Sequence, residues 1–301
     1  MANEMYTTAE SNVITKSQMS KVREVDFVQL FAHGSLQKLI EVLGVTRKIP
    51  MQEGTTLYLY TTSGTLQSGS VTEGNVIPLS QYQRNKTAVG EMTLKKWRKA
   101  TTAEAIMKSG YDEACAATDA ALLKDVEKTV RDSFFSLLNG TITSSTSVSG
   151  VGLQAALAAA WAQLQVKFED DTASAVYFLN PLDVGDYLGS ASVSVQTAFG
   201  MNYIENFLGL GTVILSSQIT QGTFVATAKE NIVLYYLGMN GDIAGKFGLT
   251  VDELGLIGIK TDIPTEQRAQ LETLVMAGID FFVEYAAGVV KGTISSSESQ
   301  T

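Results

Sequence analysis

Apolar or small side chains recur every four residues in the middle of the chain, between Thr101 and Gly140. The stripe consists of Ala114, Thr118, Leu122, Val126, Val130, Phe134 and Leu138. Residues four apart lie on one face of a helix, so this spacing predicts either one unusually long helix or a short helix that leads into a long one. Between Tyr111 and Asn139 such a helix would be about 43 Å long, and it would need packing partners along its length.

The start and the remaining face of this helix carry further signals. A Ser or Thr stands three residues before an acid, as in a capping box, at Thr101/Glu104 and at Ser109/Asp112. Charged residues of opposite sign lie four apart at Glu127/Arg131 and at Lys128/Asp132. We expect the apolar stripe to pack against a later strand-rich stretch, Leu271–Tyr285, and the charged face to remain on the surface or to meet a neighbouring subunit.

The segment before the helix predicts a long two-stranded arm. Leu57–Thr62 has a strong strand preference, and Val89–Trp97 resumes a strand-like pattern. Ser63–Thr87, between them, is too long and too polar for an ordinary hairpin turn, since most connections contain about 4–6 residues. We expect a ribbon with a flexible tip. Because an isolated two-stranded ribbon is only marginally stable in water, we expect it to lie on another subunit.

The rest of the chain mixes helices and strands. Residues 1–19 are polar and aperiodic, which predicts an extended or disordered arm, and Val25–Leu43 predicts two short helices interrupted at Gly34. Thr143–Gly150 is rich in Ser and Thr, which predicts a flexible hinge and a domain boundary. The elements expected after this hinge are a helix at Val151–Phe168, a strand at Ala175–Leu179, a helix from Asn180 to Leu188, and short strands at Thr212–Leu215, Thr223–Thr227, Ile232–Leu237 and Val289–Ile294.

Composition and charge narrow the classes of function. With 301 residues, of which 45% are hydrophobic, the chain can bury a sizeable core and has the length of roughly two domains. The net charge of −9 and the isoelectric point of about 4.8 exclude a global electrostatic attraction to nucleic acid or to an anionic membrane. The N-terminus lacks the pattern of a signal peptide, and no run reaches the ~18 uncharged apolar residues that span a bilayer. We therefore expect synthesis and assembly in a reducing cytoplasm.

Few residues carry catalytic or metal-binding chemistry. His33 is the only histidine, so most Ser/His and Cys/His arrangements are excluded, and we expect it to have a packing or capping role. Cys115 is the only cysteine, which excludes an intramolecular disulfide and a cysteine metal cluster. Gly241–Lys246 is one residue short of the glycine spacing of a phosphate loop, and Phe247 stands where that motif requires Ser or Thr. Gly209–Gly211 precedes a predicted strand, whereas a dinucleotide-binding motif follows one.

The charged clusters also have ordinary interpretations. Two acidic pairs could divide acid and base roles in a hydrolase, but adjacent residues point apart, so we expect solvated turns at Asp170/Asp171 and Asp252/Glu253. The basic cluster Lys95–Lys99, which contains Trp97, is expected to contact an acidic neighbouring subunit rather than nucleic acid. Asn85 and Asn139 each begin a glycosylation pattern, which carries little weight without a secretory signal. We identify no catalytic, cofactor-binding or metal-binding constellation and expect no enzymatic activity.

The order of these parts resembles that of the major capsid proteins of tailed bacteriophages, which have the Hong Kong ninety-seven type capsid fold. A polar arm, a long Gly/Ser-rich β-arm, a long helix, a mixed α/β domain and a terminal return strand follow one another from about Asp26 to Ile294. The segment Glu73–Ser80 reads EGNVIPLS and matches the E-G-x-x-I-P motif often found in the E-loop of that family. Val289–Ile294 is similar to the family's closing strand. The resemblance implies an α+β fold.

The resemblance also implies a domain organisation. Residues 1–52 would be the N-terminal arm and short helices, and residues 53–100 would be the extended β-hairpin called the E-loop. Residues 101–150 and 259–286 would form the peripheral domain with its long spine helix. Residues 151–258 and 287–301 would form the mixed α/β axial domain and the C-terminal tail.

The function implied by the resemblance is self-assembly. Hexamers and pentamers of the chain would form the icosahedral shell of a virion, built in the host bacterial cytoplasm. A portal, a possible decoration protein and a separate scaffolding protein would be partners, since only a short polar segment precedes Asp26. The negative net charge limits adhesion of packaged DNA to the shell, so DNA contact is expected to be non-specific, and no membrane partner is expected. Some family members crosslink through an E-loop lysine; Lys86 lies in that region, but its acceptor is not identifiable from the sequence.

Two alternatives remain open. An encapsulin-like nanocompartment shell would have a related fold but would enclose enzymes rather than DNA. A carboxylate-dependent hydrolase belongs to a different class, and the single histidine and the lack of a convergent acidic pair argue against it.

Overall fold

The computed structural model describes residues 24–31, 36–141, 146–168, 174–190, 195–198, 201–262 and 269–295. The expected N-terminal arm, His33 and the pair Asp170/Asp171 lie outside these residues. The chain divides into two compact units. The smaller unit comprises residues 1–34, 94–123 and 238–277, and the larger unit comprises residues 35–93, 124–237 and 278–301.

The long helical segment in the middle of the chain is a short helix followed by a long one. Helix α3 spans Ala103–Ser109, helix α4 spans Tyr111–Ser136, and a π-helical turn follows at Leu137–Thr141. Gly110, between α3 and α4, has a φ of 81°, which side chains disfavour and glycine tolerates. The second of the two alternatives predicted from the sequence is therefore the correct one.

Two details of this segment differ from the prediction. Thr102 rather than Thr101 caps α3, because the Thr102 hydroxyl accepts a hydrogen bond from Ala105 N at 3.3 Å. Glu127, which we expected on the charged surface of α4, is only 6% exposed. A stripe with a spacing of four rotates by about 40° at each step, so position 127 enters the buried sector.

The apolar stripe is buried in the C-terminal half of α4. The buried residues of the stripe are Val126, Val130 and Phe134 in α4 and Leu138 in the π-helical turn that follows. Leu122 is half-buried and Thr118 is exposed, while the side chain of Ala114 lies outside the described part of the structure. The ring of Phe134 contacts the ring of Phe281 at 5.9 Å between centroids, which places this half of the stripe against the expected strand-rich stretch.

The smaller unit contains a four-stranded antiparallel sheet and helix α1, residues 24–29. In the order β12–β13–β14–β4, its strands are Thr250–Val251 (β12), Ile257–Asp262 (β13), Gln270–Ala277 (β14) and Lys95–Thr102 (β4). Helix α7, Asp242–Phe247, belongs to the same unit. Glu24 of α1 is 4% exposed, and its carboxylate accepts hydrogen bonds from Thr250 Oγ1 at 2.6 Å and from Thr261 N. This carboxylate fastens α1 to the sheet.

The larger unit is built on a seven-stranded mixed sheet in the order β5–β16–β10–β6–β9–β8–β7. Its strands are β5 (Thr146–Val151), β6 (Ala175–Leu179), β7 (Gln196–Ala198), β8 (Met201–Phe207), β9 (Gly211–Leu215), β10 (Thr223–Ala228) and β16 (Val289–Ser295). All five residues of β6 are buried, as in a strand covered on both faces. A Cβ on Gly292 would lie 2.1 Å from Phe224 Cζ on the neighbouring strand, so glycine makes room for that ring.

Further helices and a second sheet also belong to the larger unit. Helices α2 (Gln37–Leu43), α5 (Leu153–Lys167) and α6 (Pro181–Ser190) belong to it. A three-stranded sheet has the order β1–β11–β15, with β1 at Arg47–Met51, β11 at Ile232–Leu237 and β15 at Ile279–Val283. The strand-rich stretch expected at Leu271–Tyr285 is thus two strands, β14 and β15, separated at Gly278.

The hinge predicted at Thr143–Gly150 is wrong for its described part. Thr146–Val151 is strand β5, which pairs in parallel with β16. Ser- and Thr-rich composition is typical of linkers, but Thr146, Val148 and Gly150 alternate as the half-buried positions of a strand. The partner strand lies far away in the sequence, so local composition could not indicate this pairing.

Candidate assembly surface

A long β-hairpin in the larger unit is the candidate functional surface. It consists of β2 (Thr56–Thr65) and β3 (Gln81–Glu91), with a tip at residues 66–80. The sequence predicted the arm but placed its second strand at Val89–Trp97. The residues of Gln81–Thr87 pair with β2 despite their polarity, whereas Trp97 belongs to β4.

The base of the hairpin is held by the core of the larger unit. Leu57 and Leu59 are 7% and 6% exposed, and Met92 is fully buried. Met92 N donates to Thr55 O at 2.9 Å, and Tyr60 N donates to a main-chain oxygen of the segment that follows β15 at 3.2 Å. The base is therefore fixed, and the hairpin extends from it.

One face of the hairpin combines aromatic rings with cations. The guanidinium carbon of Arg84 lies 3.9 Å from the ring centroid of Tyr60, and Lys86 Nζ lies 4.6 Å from the ring centroid of Tyr58. Residues directly opposite each other in an antiparallel pair share a face, and the pairing of Tyr60 with Lys86 places all four on the same one. Residues 55–72 contain no acidic residue, so this face is locally basic in a chain of net charge −9.

The tip of the hairpin exposes a cluster of large apolar side chains. Their exposed fractions are 76% for Leu66, 91% for Val76, 76% for Ile77 and 90% for Leu79. The hydrogen bonds of the tip are local, such as Gln67 N to Ser80 Oγ at 3.0 Å. Three of the four apolar residues lie in the segment EGNVIPLS, which contains the E-G-x-x-I-P motif. The sequence around them is polar and provides no core that could cover them.

The basic cluster Lys95–Lys99 is partly satisfied within the smaller unit. Lys99 forms an ion pair with Asp119 and donates to Thr118 Oγ1 at 2.7 Å and to Cys115 O at 3.3 Å. Arg98 Nη1 lies 3.6 Å from a carboxylate oxygen of Glu272. These two cations therefore act within the fold, and the expected contact of the cluster with an acidic neighbour remains a prediction for its other members.

The acidic pair Asp252/Glu253 builds a turn. The Asp252 carboxylate is 7% exposed and accepts hydrogen bonds from three main-chain N–H groups: Leu254 at 3.2 Å, Leu256 at 2.6 Å and Ile257 at 3.0 Å. The expected turn is therefore present and Glu253 is exposed, but Asp252 is buried rather than solvated. The carboxylate oxygens are thus occupied by the main chain of the turn.

The remaining sequence motifs also form ordinary elements. Gly241–Lys246 forms the beginning of α7. Lys246 is exposed, and its Nζ lies 4.0 Å from Asp242 Oδ2. Within the described ranges, no three His, Cys, Asp or Glu side chains are grouped so that they could hold a metal ion. No helix among the described residues combines the length and the apolar composition needed to cross a membrane.

Comparison with solved structures identifies the fold. The capsid of cyanophage P-SCSP1u matches with a TM-score of 0.54 and 8% sequence identity, covering 86% of this chain and 88% of that chain. An encapsulin complex from Synechococcus elongatus matches with a TM-score of 0.51 and 10% identity, covering 88% and 90%. The virus-like particle from Pyrococcus furiosus matches with a TM-score of 0.50 and 14% identity, covering 92% and 99%. No protein-family model and no curated protein matches the sequence.

The chain has the Hong Kong ninety-seven type capsid fold, as the order of its parts indicated. Phage capsid proteins are the main structural neighbours, and encapsulins share the same architecture. The mixed helix and strand content agrees with the α+β class predicted from the sequence.

Proposed function

We propose that this chain is the major capsid protein of a tailed bacteriophage, a structural protein that self-assembles into an icosahedral shell around the phage genome. Hexamers and pentamers of the chain form the shell, and its place is the virion. The proposal is supported by the capsid-type fold and by a surface that a single subunit leaves incomplete.

The observation that carries the proposal is the exposed tip of the β2–β3 hairpin. Burial of a large apolar side chain stabilises a protein by about 1.5–3 kcal/mol, so Leu66, Val76, Ile77 and Leu79 forgo several kcal/mol in the free subunit. Soluble monomers rarely expose large apolar side chains together on one short segment, and their exposure marks an interaction site. A second copy of the chain is the partner that a shell supplies.

The parts of the chain take the roles proposed from the sequence. Residues 1–52 are assigned to the N-terminal arm and short helices, and residues 53–100 to the E-loop, whose β2–β3 hairpin lies on a neighbour. Residues 101–150 and 259–286 are assigned to the peripheral domain, except that Thr146–Val151 is strand β5 of the seven-stranded sheet. Residues 151–258 and 287–301 form the axial domain and tail.

Assembly takes place in the host bacterial cytoplasm, with a scaffolding protein, a portal and a possible decoration protein as further partners. Packaged DNA is confined rather than tightly bound, because a shell of net negative charge repels it. The chain itself has a structural rather than an enzymatic role. An encapsulin-like shell is the second candidate, since an encapsulin complex has the same fold. Particles that contain a cargo enzyme in place of phage DNA would support this second candidate.

The test is electron microscopy of the purified chain with and without a charge at the hairpin tip. We expect the unmodified chain to form closed particles. If the chain alone forms only capsomers, we expect closed particles when it is co-expressed with a scaffolding protein. Ile77→Asp should abolish them, because a carboxylate cannot be buried in an apolar contact without a partner. The same charge at an exposed polar tip position, Thr72→Asp, is the matched control and should assemble normally.

Both variants should unfold at the same temperature as the unmodified chain, since neither position contacts the core. A small monomer under all of these conditions would contradict the proposed function. Normal assembly of the Ile77→Asp variant would show that the hairpin tip is not part of the contact between subunits.

A further inference from the structure

Helix α5, Leu153–Lys167, is apolar on both of its faces. Its inner face packs against the seven-stranded sheet with four fully buried side chains: Ala156, Leu157, Ala160 and Leu164. Six residues of the helix are exposed, and five of these are apolar: Ala155, Ala158, Trp161, Ala162 and Val166; the sixth is Gln154. Helices that are apolar all round are normally covered on both sides, but among the residues that the structure describes no element covers the outer face of α5.

The exposure of this outer face is substantial. Trp161 is 41% exposed and Val166 is 71% exposed. Tryptophan is enriched among the residues that dominate binding energy in protein interfaces, and the alanines beside it allow another backbone to approach closely. We call the surface formed by Ala155, Ala158, Trp161, Ala162 and Val166 the α5 outer face.

Charge decides which partner fits this face. Residues 133–166 contain no Asp, Glu, Lys or Arg, although 18% of the chain is charged. Nucleic acid is bound mainly through cations that neutralise phosphates, and this segment has none. Two copies of a chain with net charge −9 repel each other over most of their surfaces, and an uncharged face is where that repulsion is smallest.

Area decides what kind of contact it makes. A 15-residue helix is about 22 Å long and about 10 Å wide, so its outer face covers about 220 Å². A stable pairwise interface buries about 800 Å² on each partner. The α5 outer face is therefore too small to hold an isolated dimer together, and it contributes only where each subunit makes several contacts at once.

We propose that the α5 outer face is a contact with a second copy of this chain that forms in the assembled particle and not in the free subunit. This inference rests on the proposed function and adds to it a surface separate from the hairpin tip. Trp161 enters a contact made by the neighbouring copy, and the alanines set the distance of approach.

The first test uses the fluorescence of Trp161. Trp97 is the other tryptophan of the chain, so Trp97→Phe leaves Trp161 as the sole reporter. Quenching by acrylamide should fall severalfold, and the emission should shift to shorter wavelength, when free subunits become particles that contain this polypeptide alone. Equal quenching in both states would overturn the inference. The alternative result is that Trp161 is shielded from acrylamide only in particles that contain nucleic acid or a second polypeptide. Loss of this shielding when these components are removed would also overturn the inference.

The second test places a charge on the face. Ala158→Lys should lower the yield of particles about tenfold, as expected for a charge at the centre of an interface. Gln37→Lys adds the same charge at an exposed position of another helix and should leave the yield unchanged. Circular dichroism and the thermal midpoint of the free subunits should be the same for both variants, because neither side chain is buried in the core.

The outcomes separate this inference from the proposed function. Particles from Ala158→Lys at the normal yield would overturn the role of the α5 outer face and leave the shell function intact. Failure of the unmodified chain to form any particle, with or without a scaffolding protein, would overturn both.

Discussion

The side-chain amide of Asn231 is hydrogen bonded to both main-chain polar groups of Tyr285. Asn231 Oδ1 accepts from Tyr285 N at 2.9 Å, and Asn231 Nδ2 donates to Tyr285 O at 2.9 Å. Asn231 Nδ2 also donates to the buried Thr227 Oγ1 at 3.0 Å, and that hydroxyl donates to Gly288 O at 3.0 Å. One amide therefore ties the turn before β11 to the segment between β15 and β16.

Loss of this amide should destabilise the larger unit. Asn231→Ala removes three hydrogen bonds and leaves buried groups without partners, so we expect the free energy of unfolding to fall by about 2–4 kcal/mol. Urea denaturation followed by circular dichroism measures the change. Asn85→Ala, at an exposed position of the hairpin, is the control and should cost less than about 0.5 kcal/mol. Equal midpoints for the two variants would show that the network contributes little.

The protein should be at least as stable when Tyr177 loses its hydroxyl group. The side chain is fully buried in β6, and among the described residues no group is hydrogen bonded to its Oη. An unpaired buried hydroxyl costs about 1–3 kcal/mol in desolvation, so Tyr177→Phe should leave stability unchanged or raise it at neutral pH. Thermal unfolding of Tyr177→Phe beside Tyr82→Phe, which alters an exposed tyrosine, gives the comparison. A marked loss of stability in Tyr177→Phe would mean that the hydroxyl has a bound partner.

The same substitution should change the response to alkaline pH. Burial raises the pKa of Tyr177 well above its usual range, so the folded state keeps a proton that the unfolded state loses above about pH 10. The stability present below pH 10 then falls by up to about 1.4 kcal/mol for each further pH unit. Tyr177→Phe should show a shallower fall between pH 10 and pH 11, measured by urea denaturation at each pH.

The Glu24 carboxylate should be required for α1 to stay on the sheet of the smaller unit. Its oxygens accept hydrogen bonds from Thr250 Oγ1 and Thr261 N. Strand β12 pairs with β13 only at Gly258 and Ile259, so the carboxylate provides the acceptor for the N–H group of Thr261. Glu24→Ala should expose α1 to proteolysis and lower the stability of the smaller unit by about 1–3 kcal/mol. Glu41→Ala, at an exposed helical position, is the matched control. Unchanged cleavage near α1 in Glu24→Ala would contradict this role.

Local periodicity was enough to predict the long central helix of the fold. The spacing of Val126, Val130, Phe134 and Leu138 identified α4 and its buried side, because a helix is specified by residues three and four apart. Strand β6, Ala175–Leu179, was also predicted, since a short wholly apolar run is typical of a central strand.

Pairing between distant segments was not predictable in the same way. Strand β5 was interpreted as a hinge because its partner, β16, lies far along the chain and only the completed sheet makes Thr146–Val151 extended. The hairpin tip was identified from its motif and polarity. The stacking of Arg84 on Tyr60 was not, because it depends on the register between β2 and β3 and on the bulge at Leu57/Tyr58.

The position of β16 has a consequence for biosynthesis. Residues 289–295 lie between β5 and β10, strands that the ribosome delivers much earlier. Until β16 emerges, both of those strands keep an unpaired edge, and such edges are templates for aggregation. The larger unit therefore completes its sheet late in translation, and chaperones that protect nascent chains should raise the yield of assembly-competent protein.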